Sequence, residues 1–444
     1  LHAGIAELLL KKGVITQEEY QQLKEEVAAS APVAAAPAPA APMPAPATPS
    51  VSFAKGFATT SVDSSYVVQV GTLMQFDVAG YNDEGTIDNN AGSNTRRGRL
   101  YMQGTVLKDW QYKMEIELFG TTGTEVTDAY LRYNGFTPFS STKPLAVTAG
   151  HFKIPFSFEQ LMADKDLSLM ERSLPNALLK SRAPGVMVST SSEHWTASAM
   201  GFGEQLYSNA PSSTAGTGTT NSQQDEGGGA SARVTWAPII DDGELLHFGL
   251  SAQFLKPTQT PTGETISFSS RPESFTTNLR TLNSGTIRGD VKNAKLFGAE
   301  ASGVFGPATL TAEYIRAQVD RDLTGRTGGD LTFAGWYAQA SWMLSGEHRA
   351  YDADKGIFKG IVPLQPVGTG GTGAWELTAR YSVLDLNDRT ISGGREHNTT
   401  LGLGWYANNF VRLSGNWVHV YEIEGGPFNG QSMDALQARL QFAY

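Results

Sequence analysis

The sequence predicts an all-β protein: a 16-stranded antiparallel transmembrane β-barrel with an inward-folded constriction loop, preceded by a short α-helical, coiled-coil-like segment. Three observations predict it. From Tyr66 onward, apolar and polar residues alternate with a period of two through sixteen short segments, the pattern of strands with two unlike faces. Short turns alternate with longer polar loops between those segments. Finally, residues 150–184, GHFKIPFSFEQLMADKDLSLMERSLPNALLKSRAP, break the alternation. That stretch is too basic for a dry core and too apolar for a free surface loop, and long structured loops in compact folds are usually functional.

Composition narrows the class. The chain has 444 residues, 18% of them charged, with 48 Gly and no Cys. Without Cys there are no disulfides and no Cys-based metal or redox site. The formal net charge of -10 argues against nucleic acid as a partner. No run approaches the about 18 apolar residues of a membrane helix. The chain starts at Leu1 with no basic stretch leading into an apolar one, so a signal peptide is expected to be absent from it. A membrane barrel has such bulk properties because only every second residue meets lipid; a secreted soluble β-protein would share them.

Residues 1–29 read as a helical segment, assigned to the periplasm. Ile5, Leu8 and Leu9 recur on one side until Gly13. Thr16 with Glu19 forms a capping box that starts a second helix, and Tyr20, Leu23 and Val27 continue as a narrow apolar stripe. Helices this short are marginal alone; self-association with other copies and packing on the barrel rim are both open. Residues 30–65 read as an Ala/Pro-rich linker and lead-in. Its spacer, residues 30–50, would reach roughly 60 Å as polyproline II at about 3.1 Å per residue.

Residues 66–444 are the barrel. In the first segment Val68, Val70, Met74, Phe76 and Val78 share one face, with Gln69, Gly71, Gln75 and Asp77 on the other. The second sets Leu100, Met102 and Val106 against Arg97, Arg99 and Gln103, and the third sets Tyr112, Met114, Ile116 and Leu118 against Lys113, Glu115 and Glu117. Further segments fall near 126–136, 144–150, 185–191, 195–204, 230–237, 245–256, 291–305, 308–319, 331–344, 374–384, 396–407, 410–421 and 433–444. The even count of sixteen suits bacterial barrels, and the segment boundaries leave 14 and 18 open beside it. Turns are expected at 108–110, 191–194, 306–307 and 408–409, and long polar loops at 80–94, 206–229, 257–289, 320–330, 385–395 and 422–432. Residues 345–373 are a long connection where a turn is expected, read as an elaborated periplasmic turn. Trp110, Tyr112, Tyr133, Trp236, Trp336, Trp342, Trp375, Tyr381, Trp405 and Trp417 lie near strand ends or on the apolar face, where amphipathic rings meet a membrane interface.

If the apolar face meets lipid, the other lines the bore. Arg97, Arg99, Arg132, Arg233, Arg380, Arg412 and Arg439 phase inward. Guanidinium is a permanent cation with a fork suited to oxyanions, and rings of Arg or Lys mark anion pores. The other reading pairs these arginines with Glu115, Glu117, Glu300, Glu313 and Glu376, which phase to the same side. In the inserted loop, 151–184, Lys153, Lys165 and Arg172 are the candidates for the constriction; Asp164 and Asp166 flank Lys165. Competing chemistry is weak. Gly368 to Gly373 (GTGGTG) leads into a strand rather than a helix. Asp320, Asp322 and Gly325 lack full calcium-loop spacing, His151, His194, His247 and His397 are scattered, and there is no nucleophile elbow. Neither catalysis, cofactor nor metal is expected.

The segments RRGRLYMQGTVLKDWQYKMEIE (96–117), DAYLRYNGF (128–136), GHFKIPFSFEQL (150–161), MERSLPNAL (170–178) and GAWELTARYS (373–382) resemble the phosphate-selective porin O/P family of Gram-negative outer membranes. The resemblance implies a homotrimeric barrel whose third extracellular loop folds inward with lysines at the constriction. By position, Lys153, Lys165 and Arg172 match the loop, and Arg97 and Arg99 the wall. Gln160 stands where phosphate-specific members carry another lysine. The expectation is an outer-membrane porin for passive diffusion of small hydrophilic solutes, anion-preferring, with phosphate or other oxyanions as partners. Two alternatives stand beside it. One is a barrel-anchored tether contacting cell-wall material through residues 1–50; the other is a soluble β-rich binding protein.

Overall fold

The computed structural model describes residues 2–29, 49–53, 56–119, 124–137, 143–203, 227–257, 264–287, 291–322 and 329–444. They form two units, Leu1–Thr48 and Pro49–Tyr444. In the first, α1 (His2–Lys11) ends at Gly13, whose φ of 69° lets the chain close the helix with a Gly13 N–H bond to the Leu10 carbonyl at 3.0 Å, a left-handed C-terminal cap. The capping box then opens α2 (Gln17–Ala29): the Thr16 amide donates to Glu19 at 2.8 Å and the Glu19 amide to Thr16 Oγ at 3.3 Å. The Thr16 amide and hydroxyl, both donating to it, hold the Glu19 carboxyl below its usual range. Leu8 and Leu23 stay exposed. Most of the Ala/Pro spacer lies outside the described residues.

The second unit is a closed barrel. Its strands are β1 (Val67–Asp83), β2 (Gly92–Val106), β3 (Trp110–Phe119), β4 (Glu125–Phe136), β5 (Leu145–Lys153), β6 (Arg182–Ser191), β7 (Trp195–Gly203) and β8 (Gly228–Asp241). The other eight are β9 (Glu244–Lys256), β10 (Val291–Phe305), β11 (Ala308–Arg321), β12 (Leu331–Met343), β13 (Ala374–Asp388), β14 (Ile391–Tyr406), β15 (Val411–Val420) and β16 (Met433–Ala443). Each pairs antiparallel with the next, and β16 pairs with β1 from Met433↔Asp83 to Ala443↔Leu73. Closure leaves no unpaired edge. The last residue completes the seam, Tyr444 exchanging backbone bonds with Thr72 at 2.7 and 2.9 Å. In the lead-in, Ser50–Ser52 pairs with Phe57–Thr60, which pairs with the start of β1. Among the described residues no helix is long and apolar enough to cross a membrane; the strands are the spanning elements.

Burial follows the pleat. On β15, Arg412, Ser414, Asn416 and Val418 are buried while Leu413 and Trp417 are exposed. Outward apolar side chains such as Leu250 (69% exposed) and Leu436 (68%) are what a lipid-facing wall presents. At the short-turn end, Leu107 and Lys108 take positive φ of 53° and 67° in the three-residue turn 107–109 between β2 and β3, a left-handed backbone that residues other than glycine seldom adopt.

The structure changes three expectations about the loops. Residues 385–395 are not a long loop: β13 and β14 run on to a hairpin at Arg389, with Asn387 opposite Ser392. The connection 257–289 is not an external polar loop throughout. In its described part, Phe268, Leu282 and Ile287 are buried against Phe156, Leu174 and Leu178 of the inserted loop and Phe333 and Leu384 of the wall. The anomalous connection 345–373 folds inward as well. It forms a small hairpin, Tyr351–Asp352 with Ile357–Phe358, and buries Ile357 and Phe358 against Phe158, Met162 and Leu167. The two inward-folded connections share a physical reason. Each carries apolar side chains too spaced out to read as a strand, and Phe268 and Leu282, or Ile357 and Phe358, leave water in the lumen.

Candidate functional site

The inserted loop is built from short pieces that cannot hold themselves. A one-turn helix, α3 (Phe158–Leu161), begins at Ser157, whose Oγ accepts from the Gln160 amide at 3.2 Å. Wall residue Glu313 accepts from the Phe158 and Glu159 amides at 2.9 and 2.7 Å and from Tyr337 Oη at 2.8 Å. Two 3-10 turns follow, Asp164–Asp166 and Leu174–Leu178. The loop's apolar side chains fill the lumen beside β10–β16, leaving a passage along the opposite wall.

The seven wall arginines all phase inward, and most meet a carboxylate. Asp164 gathers three cations: Arg172 at 2.5 Å, Arg99 at 2.6 Å and Arg97 at 3.3 Å. Arg99 also reaches Glu117 at 2.6 Å and Glu115 at 3.5 Å. Glu171 takes Arg439 at 2.6 Å and Arg96 at 2.8 Å, while Arg439 holds Asp77 at 2.7 Å. Arg380 joins Glu159 of the loop at 3.1 Å to Glu273 of the 257–289 connection at 2.5 Å. Arg233 pairs with Glu300 at 2.5 Å and donates to the Lys355 and Gly356 carbonyls at 3.0 and 2.7 Å. Arg412 donates to the Leu167 and Ser168 carbonyls and stacks over Tyr406. Six of the seven therefore tie an inward-folded segment to the wall, neutralise a carboxylate, or both. Pairing with Glu115, Glu117 and Glu300 is as the second reading of the sequence expects. Glu313 instead receives amides, and Glu376 receives Ser168 and Tyr406 hydroxyls at 2.8 and 2.5 Å. Arg132 stands apart, donating to Asn134 at 2.7 Å with no carboxylate within salt-bridge distance among the described residues.

The loop's cations divide in the same way. Arg172 is spent on Asp164. The Lys153 ammonium donates to the Gln160 and Met162 carbonyls at 2.8 and 2.7 Å and to Leu161 at 3.4 Å, closing the end of α3. Lys165 is exposed to the passage with no carboxylate within salt-bridge distance among the described residues. Its neighbour Asp164 points away into the arginine cluster, so adjacency in sequence does not neutralise it. Gln160 is buried, donating to Ser181 at 2.5 Å. Lys153→Met is expected to remove the donor that the Gln160, Leu161 and Met162 carbonyls share, leaving Arg172 at 2.9 Å from the Met162 carbonyl, and to lower the melting temperature by several degrees, with charge selectivity shifting less than for Lys165. Thermal unfolding and bilayer reversal potentials of the two variants check this.

The passage is a cavity of about 490 Å³ with nine Lys and Arg side chains against six Asp and Glu. The sequence places Lys113 on the inward face and Arg182 in the inserted loop without marking either as a site residue, and Lys355 and Lys359 it does not mark at all. Lys113 and Arg182 share Asp128 at 2.7 and 2.9 Å. Lys355 and Lys359 come from the 345–373 connection, whose unexplained length was the signal. Partial desolvation pushes the carboxyl of exposed Asp354 in that connection up, but Lys143 at 2.5 Å and Ser191 at 3.0 Å hold it below the usual carboxylate range. That contact fixes the connection to the short-turn end of β5 and β6.

Comparison with known proteins agrees with this architecture. The model of the family "Phosphate-selective porin O and P" matches residues 68–444. Porin O of Pseudomonas aeruginosa is 23% identical over 429 residues, covering 88% of this chain and 91% of that protein. An uncharacterized protein of Caulobacter vibrioides is 29% identical over 328 residues, 73% of this chain but only 62% of the relative's length. Among solved structures, the anion-selective porin from Comamonas acidovorans superimposes with a TM-score of 0.51 at 15% identity, covering 85% of this chain and all of that one. That last likeness shows the barrel fold. Sixteen closed strands, an inward loop and a family match across the whole barrel lead to one conclusion: the chain belongs to the phosphate-selective porin O and P family of outer-membrane channels, which are not enzymes.

Proposed function

We propose that this porin is an anion-preferring passive channel for small oxyanions, working as a homotrimer, with Lys165 at its constriction. The observation that carries the reading is the imbalance along the passage, nine cationic side chains against six carboxylates. Ion pairing silences much of the arginine ladder, so the uncompensated field comes from Lys165, Arg132 and Lys359. An exposed ammonium replaces part of a passing anion's hydration, and the cavity walls focus its field. Phosphate is one such oxyanion; Gln160, buried against Ser181, offers no cation where a phosphate-specific channel would carry one. The long loops, 84–91 and 421–432 among them, face outside. The short turns and the N-terminal segment lie in the periplasm, as in bacterial barrels generally.

The test is the reversal potential of the purified channel in a planar bilayer under a potassium chloride gradient, followed by titration with phosphate. The expected result is a chloride-directed reversal potential and a phosphate-dependent fall in chloride current. A reversal potential at zero or toward potassium would mean that pairing neutralises the wall throughout, and the protein would be a general porin.

A further inference from the structure

The outer face of the barrel carries a feature that conduction does not use. Lys256 at the end of β9, Lys295 on β10 and Arg316 on β11 all point away from the lumen, in phase with exposed Phe254, Phe297 and Tyr314. Register sets Phe254 opposite Lys295, and Lys295 opposite Gln318. Lys256 and Arg316 are therefore diagonal neighbours of Lys295, on the order of 7–8 Å away on either side. Lys295 meets Asp320 at 2.6 Å, with its side chain still 43% exposed. Lys256 and Arg316 have no carboxylate within salt-bridge distance among the described residues. An apolar and aromatic band runs beside and below them, with Phe254 opposite Lys295, Phe297 opposite Arg316 and Trp336 opposite Tyr314.

A charged side chain on the lipid face of a barrel is costly at the midplane and cheap only near the interface. Three cations on one diagonal toward the long-loop end, at the upper edge of the aromatic band, sit where anions at headgroup depth would offset their charge. We propose that Lys256, Lys295 and Arg316 form an exterior binding site for the phosphate groups of an outer-leaflet phosphoglycolipid, whose acyl chains lie on Phe254, Phe297 and Tyr314. Two ammonium groups and a planar guanidinium spaced this way match two phosphates or one phosphate bound by several donors. Asp320 moderates the site by holding Lys295. The proposal rests on the orientation given above, long loops outward.

The experiment is native mass spectrometry of the full-length folded porin released from micelles containing either bis-phosphorylated lipid A or its dephosphorylated form. The wild type is expected to retain the bis-phosphorylated lipid at least fivefold better. Lys256→Gln, Lys295→Gln and Arg316→Gln together should bring it down to the level of the dephosphorylated form. Asp320→Asn, which frees Lys295, should raise retention two- to threefold. Reversal potentials of all variants should stay at the wild-type value, because none of these side chains lines the passage. Equal retention of both lipids by the wild type, or unchanged preference in the triple variant, would overturn the site. A triple variant that loses self-association while keeping its lipid preference would also overturn it, making the patch a contact between copies. Orientation is read separately with Asn278→Cys, a unique thiol in a chain without cysteine. Labelling by an impermeant maleimide on intact cells supports outward loops. With labelling positive, a failed lipid preference sinks this proposal alone; a failed anion preference with lipid preference intact sinks only the channel reading.

Discussion

Replacing Lys165 with glutamate is expected to abolish the anion preference of the channel and turn it toward cations. One unit charge acting on an ion at about 6 Å through an effective dielectric of about 40 is worth about 1.4 kcal/mol, or close to tenfold in relative permeability. Lys165→Glu changes two units of charge, so the chloride-to-potassium permeability ratio should fall by at least about tenfold even with salt screening. Lys165→Met should give roughly half that free-energy change. Reversal potentials under a fixed salt gradient measure both. The effect should shrink as ionic strength rises, since the ammonium is exposed to the passage rather than sealed in protein. A ratio unchanged in Lys165→Glu would place the selective step elsewhere, and Arg132 and Lys359 would be next to test.

Asp164→Asn should act on the loop rather than directly on the ion. Asp164 is buried beneath Arg97, Arg99 and Arg172, which come from the wall and the loop together. Removing its charge leaves three guanidiniums crowded with one carboxylate fewer, and breaking a buried ion pair from one side costs about 3–5 kcal/mol. The expected readouts are a lower temperature for loss of the folded, heat-modifiable form and a noisier open channel as the loop comes away from the wall. Selectivity should move toward anions, the opposite direction from Lys165→Glu. Removing Arg172 as well should recover part of the lost stability, because contacting charges in one network are not additive. A quiet channel of wild-type stability would mean that apolar contacts such as Phe158 with Phe358 hold the loop unaided.

How far the sequence reached can be judged residue by residue. The alternation of Val68 to Val78, or of Leu436 to Phe442, specifies strands because a period of two leaves no other way to separate lipid from water. The sixteen segments read from it correspond to the sixteen strands of the barrel. The even count and the turns followed from the same local rule. The loop at 151–184 was legible as an exception to that rule, and its lysines and arginine were visible as residue types. Their partners were not. Asp164 and Lys165 are adjacent in sequence, yet the 3-10 turn aims one into an arginine cluster and the other into the passage. Phe268 and Leu282 of the 257–289 connection, like Phe358 and Lys359 of the 345–373 connection, have no period that a local reading detects.

The sequence alone thus determined the wall: a closed antiparallel barrel with an apolar outside and a charged inside, since strand faces are set by residues two apart. Only the tertiary structure decided what fills the bore and which charges remain active in it. Those depend on contacts such as Arg380 with Glu159 and Glu273, or Arg439 with Asp77, between residues far apart in the chain. An arginine's net effect on a passing anion is fixed by the carboxylate that reaches it, and that is a property of the packed lumen.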